Sequence, residues 1–466
     1  MTYDHSCYIS PFTWRYSSDE MKTIFSEKHK RELLRRVWVA LARAEDKIGL
    51  VTDEQLRELI EHQNEINIDR ATEIENTIHH DLMAEIKTYA EECPNGGSII
   101  HLGATSMDAL DNADAIRFKE ALTLVLTRLD TLIEGFIKRA EEERETLTMA
   151  FTHIQPAEIT TIGYRLSQTL QDLLDDREDL VLMINRIKGK GMKGAVGTSA
   201  SYSTLTSGSS IDSIELEKLV MDELGLSSFD AATQIYSRKQ DLRIIETLSK
   251  IACTLNKFSQ DFRVLQSPPI GEFSEPFSSK QVGSSAMPFK RNPIISEKIC
   301  SLSRIVEAAY QPAWINSSST FLERSLDDSA NRRIFIPEAF LALDEMLLSE
   351  IKIIEKMSIH PTATKRLLDN YGVFASTERL LMELGKRGAD RQEMHEEIRK
   401  ESLKAWTLVQ EGEKNPLKEE LENNKKILKY LNKDEIEYFL NADGYIGDAI
   451  KRTNLVIERA KRALQK

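Results

Sequence analysis

Residues 283–293 read Gly-Ser-Ser-Ala-Met-Pro-Phe-Lys-Arg-Asn-Pro and lie between two long stretches with helical periodicity. Glycine permits backbone conformations that other residues avoid, and the prolines stop a flanking helix from running through the segment. The sequence therefore predicts a loop that can move. Such loops are often ordinary surface linkers, but the polar groups here are also suited to hold a small polyanion while a hydroxyl approaches it. They belong to Ser284, Ser285, Lys290, Arg291 and Asn292.

Five long helices are predicted around this loop. Residues 231–267 contain no glycine or proline, and Ile244, Leu248, Ile251 and Leu255 recur at helical spacing. The other four stretches are 111–144, 157–188, 294–311 and 337–357. Because strand signals are few, the predicted fold class is all-α with a central bundle of long helices. The broad apolar stripes of these helices also favour self-association.

Breaks in the pattern divide the chain into three predicted helical domains. Pro94-Asn95-Gly96-Gly97 precedes the long helices, and the helices become shorter and more charged after Pro361. We therefore predict an N-terminal helical domain at 1–110, a long-helix bundle carrying the loop at 111–357, and a C-terminal helical domain at 358–466. Residues 1–16 are predicted to form an irregular arm. Ser17 and Glu20 have the spacing of a capping box, which would start the first long helix.

A second glycine-rich stretch, residues 189–194, bears a faint likeness to a phosphate-binding loop. Ala195 and Val196 stand where the P-loop pattern requires Lys and Ser or Thr. We therefore predict a turn between two helices at this point.

Length and composition restrict the classes of function. The chain has 466 residues, of which 41% are hydrophobic and 29% charged, as in globular proteins of two or three domains. The net charge of −13 argues against nucleic acid as a partner over a broad surface. An anionic ligand would need a local basic pocket instead. No apolar run approaches the roughly 18 residues that span a bilayer, so no membrane association is expected.

The cysteines and the N-terminus indicate the compartment. The four cysteines are scattered without a C-x-x-C pair, which indicates neither a zinc site nor a disulfide framework. Thiols of this kind fit a reducing cytosol. A signal peptide has a basic region followed by an apolar run, and the N-terminus shows neither. A cytoplasmic location is therefore expected.

Three histidines, His80, His101 and His153, lie near predicted helix ends beside small or polar residues. A single histidine in such a place is more often structural than catalytic. Thr105 and Ser106, just before a helix, present hydroxyls and backbone N–H groups that suit an anion. A metal held by His79, His80 and His101 is an alternative, but their spacing fits no zinc pattern and the H-E-x-x-H pattern is missing. No metal is expected.

Residues 283–293 resemble the signature G-S-S-x-M-P-x-K-x-N-P of the fumarase/aspartase superfamily, with every fixed position filled. Other strings are similar to those of the adenylosuccinate lyase family. They are the strings around His80, His101 and His153, together with Arg15-Tyr16-Ser17, Gln234-Ile235-Tyr236-Ser237-Arg238-Lys239, and E-R-S-L-D-D-S-A-N-R-R at 323–333. One departure is His79, where that family usually has Arg.

The resemblance implies a mostly helical homotetramer with a twenty-helix core, in which each active site is assembled from three chains. It implies cleavage of a C–N bond by β-elimination, which releases fumarate from adenylosuccinate to give AMP. The same activity would release fumarate from succinylaminoimidazole carboxamide ribotide to give AICAR, so that both reactions serve purine nucleotide biosynthesis. The substrate is a small molecule that supplies its own acidified proton, so no metal or organic cofactor is expected.

The resemblance also assigns roles to residues. His153 would be the general acid, since imidazole exchanges protons near neutral pH. Ser284 would be the base, activated by Lys290, by loop N–H groups and by exclusion of water. Lys290 and Asn292 would also bind the succinyl carboxylate and the charge that develops on it. The remaining predicted contacts are Thr105, Ser106 and Gln234 for the substrate's carboxylates, Arg15, Tyr16, Arg324, Ser329 and Arg333 for the nucleotide phosphate, His80, Asp81 and His101 for the base and ribose phosphate, and His79 and Ser285 elsewhere on the substrate.

Two kinds of alternative remain open. Argininosuccinate lyase and carboxymuconate cycloisomerase share the signature loop, but neither is expected to combine it with the Arg-Tyr-Ser start and the string at 323–333. The other alternative is a non-catalytic oligomeric scaffold, as in lens crystallins of the same superfamily. His153, Ser284 and Lys290 are all intact, and a scaffold has no need of them, so the enzyme is favoured.

Overall fold

The computed structural model describes residues 5–465 of the chain. Most of these residues are helical, and the strands are short. The α-helices are α1 (Pro11–Trp14), α2 (Asp19–Ile24), α3 (Glu27–Asp46), α4 (Asp53–His62), α5 (Ile68–Ile78), α6 (Asp81–Glu92), α7 (Ser106–Glu142), α8 (Ile162–Arg186), α9 (Ala200–Leu205), α10 (Ser213–Leu224), α11 (Lys239–Gln266), α12 (Ile294–Ala308), α13 (Tyr310–Ser319), α14 (Ser329–Lys356), α15 (Pro361–Lys386), α16 (Arg391–Gln410), α17 (Leu417–Glu422), α18 (Lys433–Leu440) and α19 (Ala449–Leu464).

The strands form three two-stranded sheets within the described residues. They are β1 (Leu147–Thr152) with β2 (Gln155–Thr161), β3 (Lys188–Gly189) with β4 (Ser227–Ser228), and β5 (Phe273–Ser274) with β6 (Ser358–Ile359). Short 3₁₀ turns occur at Gly96–Ile99, Ile427–Lys429 and Ala442–Gly444. The predicted all-α class is confirmed, because the sheets are small additions to a helical protein.

All five predicted long helices are present, with corrected ends. Helix α7 is the longest at 37 residues, and α11 and α14 have 28 each. Helix α14 begins eight residues before the predicted start at Pro337, which lies inside it. Pro312 does not end α12 as predicted. It lies in the first turn of α13, where an N–H has no partner within the same helix, so its loss costs little.

The prediction of a helix from residue 157 is wrong at its start. Residues 147–161 form an antiparallel hairpin in which Leu147 pairs with Thr161 and Thr152 with Gln155. The segment contains four Thr and two Ile, which favour strands. Helix α8 starts only at Ile162.

The N-terminal segment also differs from the prediction. A short helix, α1, interrupts the predicted arm, whose first four residues lie outside the described part of the chain. Ser18, not Ser17, caps α2 by accepting the Met21 N–H. Ser17 has a φ of 71° and donates its hydroxyl to Asp344 at 2.9 Å. The first predicted long helix is divided, because Ser26 caps the separate helix α3.

The chain forms two compact units. The first comprises Met1–Leu129, Asp176–Cys253 and Ser301–Leu348, and the second Asp130–Asp175, Thr254–Cys300 and Ser349–Lys466. The core of the first contains the Phe118 and Phe340 rings, with half-buried Phe25 against Phe340, and the core of the second contains those of Phe136, Phe258, Phe262 and Phe273. The three-domain division remains a prediction.

Candidate functional site

The predicted base lies in a turn of the second unit. Ser284 is half-buried, and its Oγ accepts the backbone N–H of Met287 at 3.1 Å and that of Ala286 at 3.4 Å. Turns of this kind are common where serine starts a loop. The same two N–H groups would stabilise negative charge on the oxygen. The local geometry thus provides one of the means of activation expected for Ser284.

The loop closes on itself at its neck. Asn292 donates its Nδ2–H to the Gly283 carbonyl at 3.3 Å, and the Lys290 N–H donates to Met287. A Cβ atom added at Gly283 would lie 2.1 Å from the Lys290 carbonyl oxygen. Only glycine therefore fits here without moving the backbone. Lys290 itself is exposed, and Ser285 lies exposed beside Ser284.

A buried carboxylate fixes the base of the loop. Glu275 directly follows β5, and its two oxygens accept the backbone N–H groups of Ile295 at 3.0 Å and Ser296 at 2.7 Å. It also accepts the Ser296 hydroxyl at 2.6 Å. These groups belong to the first turn of α12, which starts where the loop ends. One side chain thus connects the two ends of the loop and favourably occupies a helix N-terminus.

The predicted general acid lies at the tip of the hairpin. His153 and Ile154 are the two residues between β1 and β2, with φ of 54° and 58°. A two-residue type I′ turn requires positive φ at both positions and usually contains Asn-Gly. A β-branched residue such as Ile154 adopts this conformation only at a cost. Strain of this kind often accompanies a functional role.

One cavity of the second unit borders both of these segments. It has a volume of about 1330 Å³, and its lining includes Ile154 beside His153 and Pro293 at the end of the loop. Arg165, Arg263 and Arg452 also line it. His153 and Ser284 form no hydrogen bond with each other in the described part of the chain. The hairpin and the loop of the described chain therefore border a common cavity without a direct hydrogen bond between the two side chains.

The first unit contains a basic cavity of about 100 Å³. Its lining includes three of the five predicted phosphate contacts, Arg324, Ser329 and Arg333. Four further cations and two carboxylates complete the charged lining. The cations are Lys30, Arg117, Arg238 and Arg332, and the carboxylates are Glu27 and Asp114.

Two further predicted residues meet beside this cavity. Asp81 accepts a hydrogen bond from Arg333 Nη2 at 2.8 Å. Burial raises the pKa of the Asp81 carboxyl, but the Leu82 N–H and Arg333 together lower it by more, so the pKa falls below the ordinary value. His80 caps α6 by accepting the Met83 N–H, and His79 precedes it with a φ of 55°. His79 is thus the left-handed C-cap of α5, a backbone role that the sequence did not indicate.

His101 is held as a neutral imidazole. Trp38 donates its indole N–H to Nδ1 at 3.0 Å, so Nδ1 is an acceptor and Nε2 carries the proton. Burial lowers the pKa of His101 to about 4, although the nearby Asp108 carboxylate opposes the shift. The residue has a φ of 70°. At neutral pH, His101 can offer one N–H to a ligand but no positive charge.

Thr105 is positioned by Asp108, which sequence reasoning missed, and Ser106 follows it as the first residue of α7. Asp108 accepts the Thr105 N–H at 2.9 Å, and its buried carboxylate also pairs with Lys190. The turn predicted at 189–194 is therefore a buried, ion-paired segment that supports the Thr105 turn. A second pair links Lys193 to Glu217. The sequence signal for these pairs was the presence of two lysines, Lys190 and Lys193, in a glycine-rich stretch. A lysine that is buried needs a carboxylate partner.

Gln234 and the N-terminal pair lie in the first unit as well. The Gln234 N–H donates to the Glu323 carbonyl at 3.2 Å, which joins it to the segment that carries Arg324. Arg15 donates to the Tyr16 hydroxyl at 3.3 Å and lies over the Trp14 ring. Neither Arg15 nor Tyr16 lines the basic cavity.

Within residues 5–465, no group of three or more His, Cys, Asp or Glu side chains is arranged to hold a metal ion. Among the helices of the same residues, none combines the length and apolarity needed to cross a bilayer.

Comparison with known proteins covers nearly the whole chain. The family model described as "Lyase" matches residues 13–307, and the one described as "Adenylosuccinate lyase C-terminus" matches residues 373–454. The second match extends the likeness into a region that showed no motif in the sequence.

Curated adenylosuccinate lyases are similar over most of their length. The protein from Schistosoma mansoni is 40% identical over 90% of this chain and 88% of its own. The protein from Schizosaccharomyces pombe is 36% identical over 98% and 95%. The protein from Pyrococcus horikoshii is 36% identical over 97% of each chain.

Solved structures show the same fold at lower identity. The 3-carboxy-cis,cis-muconate lactonizing enzyme from Pseudomonas putida has a TM-score of 0.85 at 21% identity, over 97% of this chain and 99% of its own. A fumarate lyase from Mesorhizobium sp. BNC1 has a TM-score of 0.84 at 20% identity, over the same shares. Since the three curated adenylosuccinate lyases share more than a third of their residues with this chain along most of its length, the chain belongs to the adenylosuccinate lyase family.

Proposed function

We propose that the protein catalyses the β-elimination of fumarate from adenylosuccinate, giving AMP. The same site would convert succinylaminoimidazole carboxamide ribotide to AICAR and fumarate, so that the enzyme serves purine nucleotide biosynthesis. The observation that carries the proposal is the basic cavity lined by Arg324, Ser329 and Arg333 in a chain whose net charge is −13. Guanidinium groups and a hydroxyl are suitable donors for a phosphate dianion.

In the proposed reaction, Ser284 acts as an alkoxide that takes a proton from the carbon beside a succinyl carboxylate. The C–H electron pair becomes part of the C=C bond of fumarate. The C–N bond breaks, its electron pair stays on nitrogen, and His153 supplies the proton that nitrogen takes up. Ser284 gains one proton and His153 loses one, so the proton count balances.

The geometry around Ser284 supports its part in this scheme. Two backbone N–H groups already point at its Oγ, and the exposed ammonium of Lys290 lies in the same loop. Lys290 and Asn292 are proposed to bind the carboxylate whose charge grows in the transition state. Thr105, Ser106 and Gln234 would hold the substrate's carboxylates. No cofactor is needed for this chemistry.

We further propose that the enzyme is a cytoplasmic homotetramer whose active sites combine residues of different chains. Exposed apolar side chains on α12, α13 and α14, among them Ile305, Trp314 and Ile334, support the assembly, because such surfaces favour self-association.

The test is to incubate the purified protein with adenylosuccinate and to assay fumarate directly. The fall in ultraviolet absorbance that accompanies cleavage gives the rate. Fumarate and AMP formed in equal amounts are the expected result. Formation of neither product, by protein that is folded by circular dichroism, would refute the proposed activity.

A further inference from the structure

Asp328 joins two arginines of the first unit. Its Oδ2 accepts from Arg238 Nε at 2.7 Å, and its Oδ1 accepts from Arg324 Nη1 at 2.8 Å. Asp328 is 1% exposed. Burial raises the pKa of its carboxyl, but Arg238 and then Arg324 outweigh burial, and the pKa lies below the ordinary value. The carboxylate is therefore charged at neutral pH and bound on both sides.

Arg238 anchors this arrangement from behind. It is 3% exposed, and its Nη1 donates to Asp111 Oδ1 at 2.9 Å. Asp111 belongs to the long helix α7, and its other oxygen accepts the Tyr236 N–H at 2.8 Å. The guanidinium also lies over the Tyr236 ring, 4.7 Å from its centroid. Arg238 thus connects a long helix to the irregular segment that precedes α14.

Arg324 needs support of this kind. It lies between α13 and α14, outside any helix, where its long side chain would otherwise sample many rotamers. Asp328 occupies one of its N–H groups, and a guanidinium has five. The remaining donors are left for a ligand in the basic cavity, which Arg324 lines and Asp328 does not.

We propose that Asp328 is a positioning residue for the nucleotide phosphate, which it serves by holding the Arg324 guanidinium in place before substrate binds. This inference rests on the proposed function, which assigns Arg324 to the phosphate. A carboxylate near the cavity would by itself repel phosphate, but Arg238 binds its second oxygen and the cations that line the cavity outnumber the carboxylates there. Asp328 therefore acts mainly by orienting Arg324, and its loss weakens binding of the phosphate.

A double-mutant cycle tests whether Asp328 acts through Arg324. KM and kcat for adenylosuccinate are measured for the wild type, Asp328→Asn, Arg324→Ala and the double variant. Asp328→Asn keeps the shape of the side chain and removes its charge. We expect it to raise KM about tenfold, as for loss of a charged hydrogen bond, with a much smaller change in kcat. In the Arg324→Ala background it should change KM by less than about twofold.

Binding of AMP and of adenosine, measured by calorimetry, gives a second readout that needs no turnover, because only AMP carries the phosphate. Asp328→Asn should weaken AMP about tenfold and leave adenosine unchanged. Asp327→Asn is the matched control, since Asp327 is exposed and its carboxylate accepts the Ser325 hydroxyl and not an arginine. This control removes the same charge one residue away, and KM should stay within about twofold of the wild type.

Three results would overturn the inference: an equal rise in KM with and without Arg324, equal weakening of AMP and adenosine, or the same effect from Asp327→Asn. If Asp328→Asn does not fold, Asp328→Glu, which displaces the carboxylate by one methylene, should show the same selective loss of AMP at smaller size. A wild type that binds AMP but releases no fumarate would refute the proposed function, while the AMP measurements would still decide the role of Asp328.

Discussion

The Oγ of Ser284 receives two N–H groups from its own loop, and this decides what its removal should do. Ser284→Ala deletes the proposed base but leaves the neck of the loop, formed by Gly283, Lys290 and Asn292, in place. We expect kcat to fall at least about 10²-fold, as for loss of a general base, with the fold retained. The absorbance assay for adenylosuccinate cleavage measures it.

Ser279→Ala provides the control for this variant, since it removes an exposed hydroxyl from the same connection outside the signature. Its turnover should match the wild type. Near-normal turnover of Ser284→Ala would exclude Ser284 as the base.

Arg333 differs from Ser284 in the kind of effect expected. Its side chain is 59% exposed and pairs with Asp81, and it lines the basic cavity. A phosphate contact is present in both the ground state and the transition state, so Arg333→Ala should raise KM more than it lowers kcat. Arg333→Lys keeps the charge but not the planar fork of the guanidinium, so its KM should lie between those of the wild type and Arg333→Ala. Steady-state kinetics of both variants check this, and an unchanged KM in Arg333→Ala would contradict it.

Glu45 gives a prediction about pH and stability. It is buried in α3, neither of its carboxylate oxygens has a hydrogen-bond partner within residues 5–465, and burial raises its pKa from 4.5 to about 8. The folded state therefore prefers the protonated carboxyl. The stability that this preference contributes is full below about pH 4.5 and is lost as pH rises through about 8.

Glu45→Gln should remove this dependence, so that the variant is the more stable protein above pH 8. Melting temperatures of the variant and the wild type at pH 6 and pH 9, each measured relative to the exposed control Glu61→Gln, provide the test. Equal pH dependence in the variant and the wild type would show that Glu45 ionises normally.

At the residue scale, the sequence was enough to predict candidate ligand-binding side chains. It was not enough to predict the buried charged residues that position them. Arg324, Ser329 and Arg333 line one cavity, which is compatible with the common role predicted for them. Buried Asp108 pairs with Lys190, 82 residues away, and buried Asp328 pairs with Arg238, 90 residues away. Only the fold brings such charges together, so a single sequence without the fold carries little sign of them.

At the scale of elements, helices were predictable where glycine and proline are missing over long stretches, as in α11. The hairpin β1–β2 was not, because two short strands carry a weak pattern and their turn has His153 and Ile154 where Asn-Gly is usual. Pro337 also misled, since a proline inside α14 is tolerated at the cost of one hydrogen bond. These errors lie at element boundaries, where tertiary contacts override local preference.

The signature loop is the element whose anchoring can be tested. Glu275 holds the first turn of α12 through three hydrogen bonds. Glu275→Gln removes the charge and places the glutamine amide N–H group opposite a backbone N–H group of α12. A buried polar group left unpaired in this way costs about 1–3 kcal/mol. We expect the loop to be held less firmly, with kcat lowered several-fold and faster proteolysis within residues 276–293.

Glu307→Gln on the exposed face of the same helix is the control for that variant and should alter neither quantity. If Glu275→Gln cleaves adenylosuccinate at the wild-type rate and resists protease equally well, the base of the loop does not depend on this carboxylate.

At the scale of the whole molecule, the all-α class and the long helices followed from the sequence, and the assembly did not. Periodicity shows that a helix has an apolar face, but it does not show which chain covers that face. The three-domain division rests on changes in composition along the chain and stays a prediction, while the compact units each combine separate stretches of the chain. Such a partition depends on long helices that return to the same core, which composition does not reveal.

The central claim is that Ser284 and His153 serve one substrate although they lie on separate segments and share no hydrogen bond in the described chain. Mixing Ser284→Ala with His153→Ala tests it most directly. Each variant alone should be nearly inactive, and equal amounts refolded together should form hybrid tetramers. If the two residues of each site come from different chains, about a quarter of the sites would regain both groups, and fumarate release should recover to that level. Hybrid tetramers that remain as inactive as their parents would contradict the account.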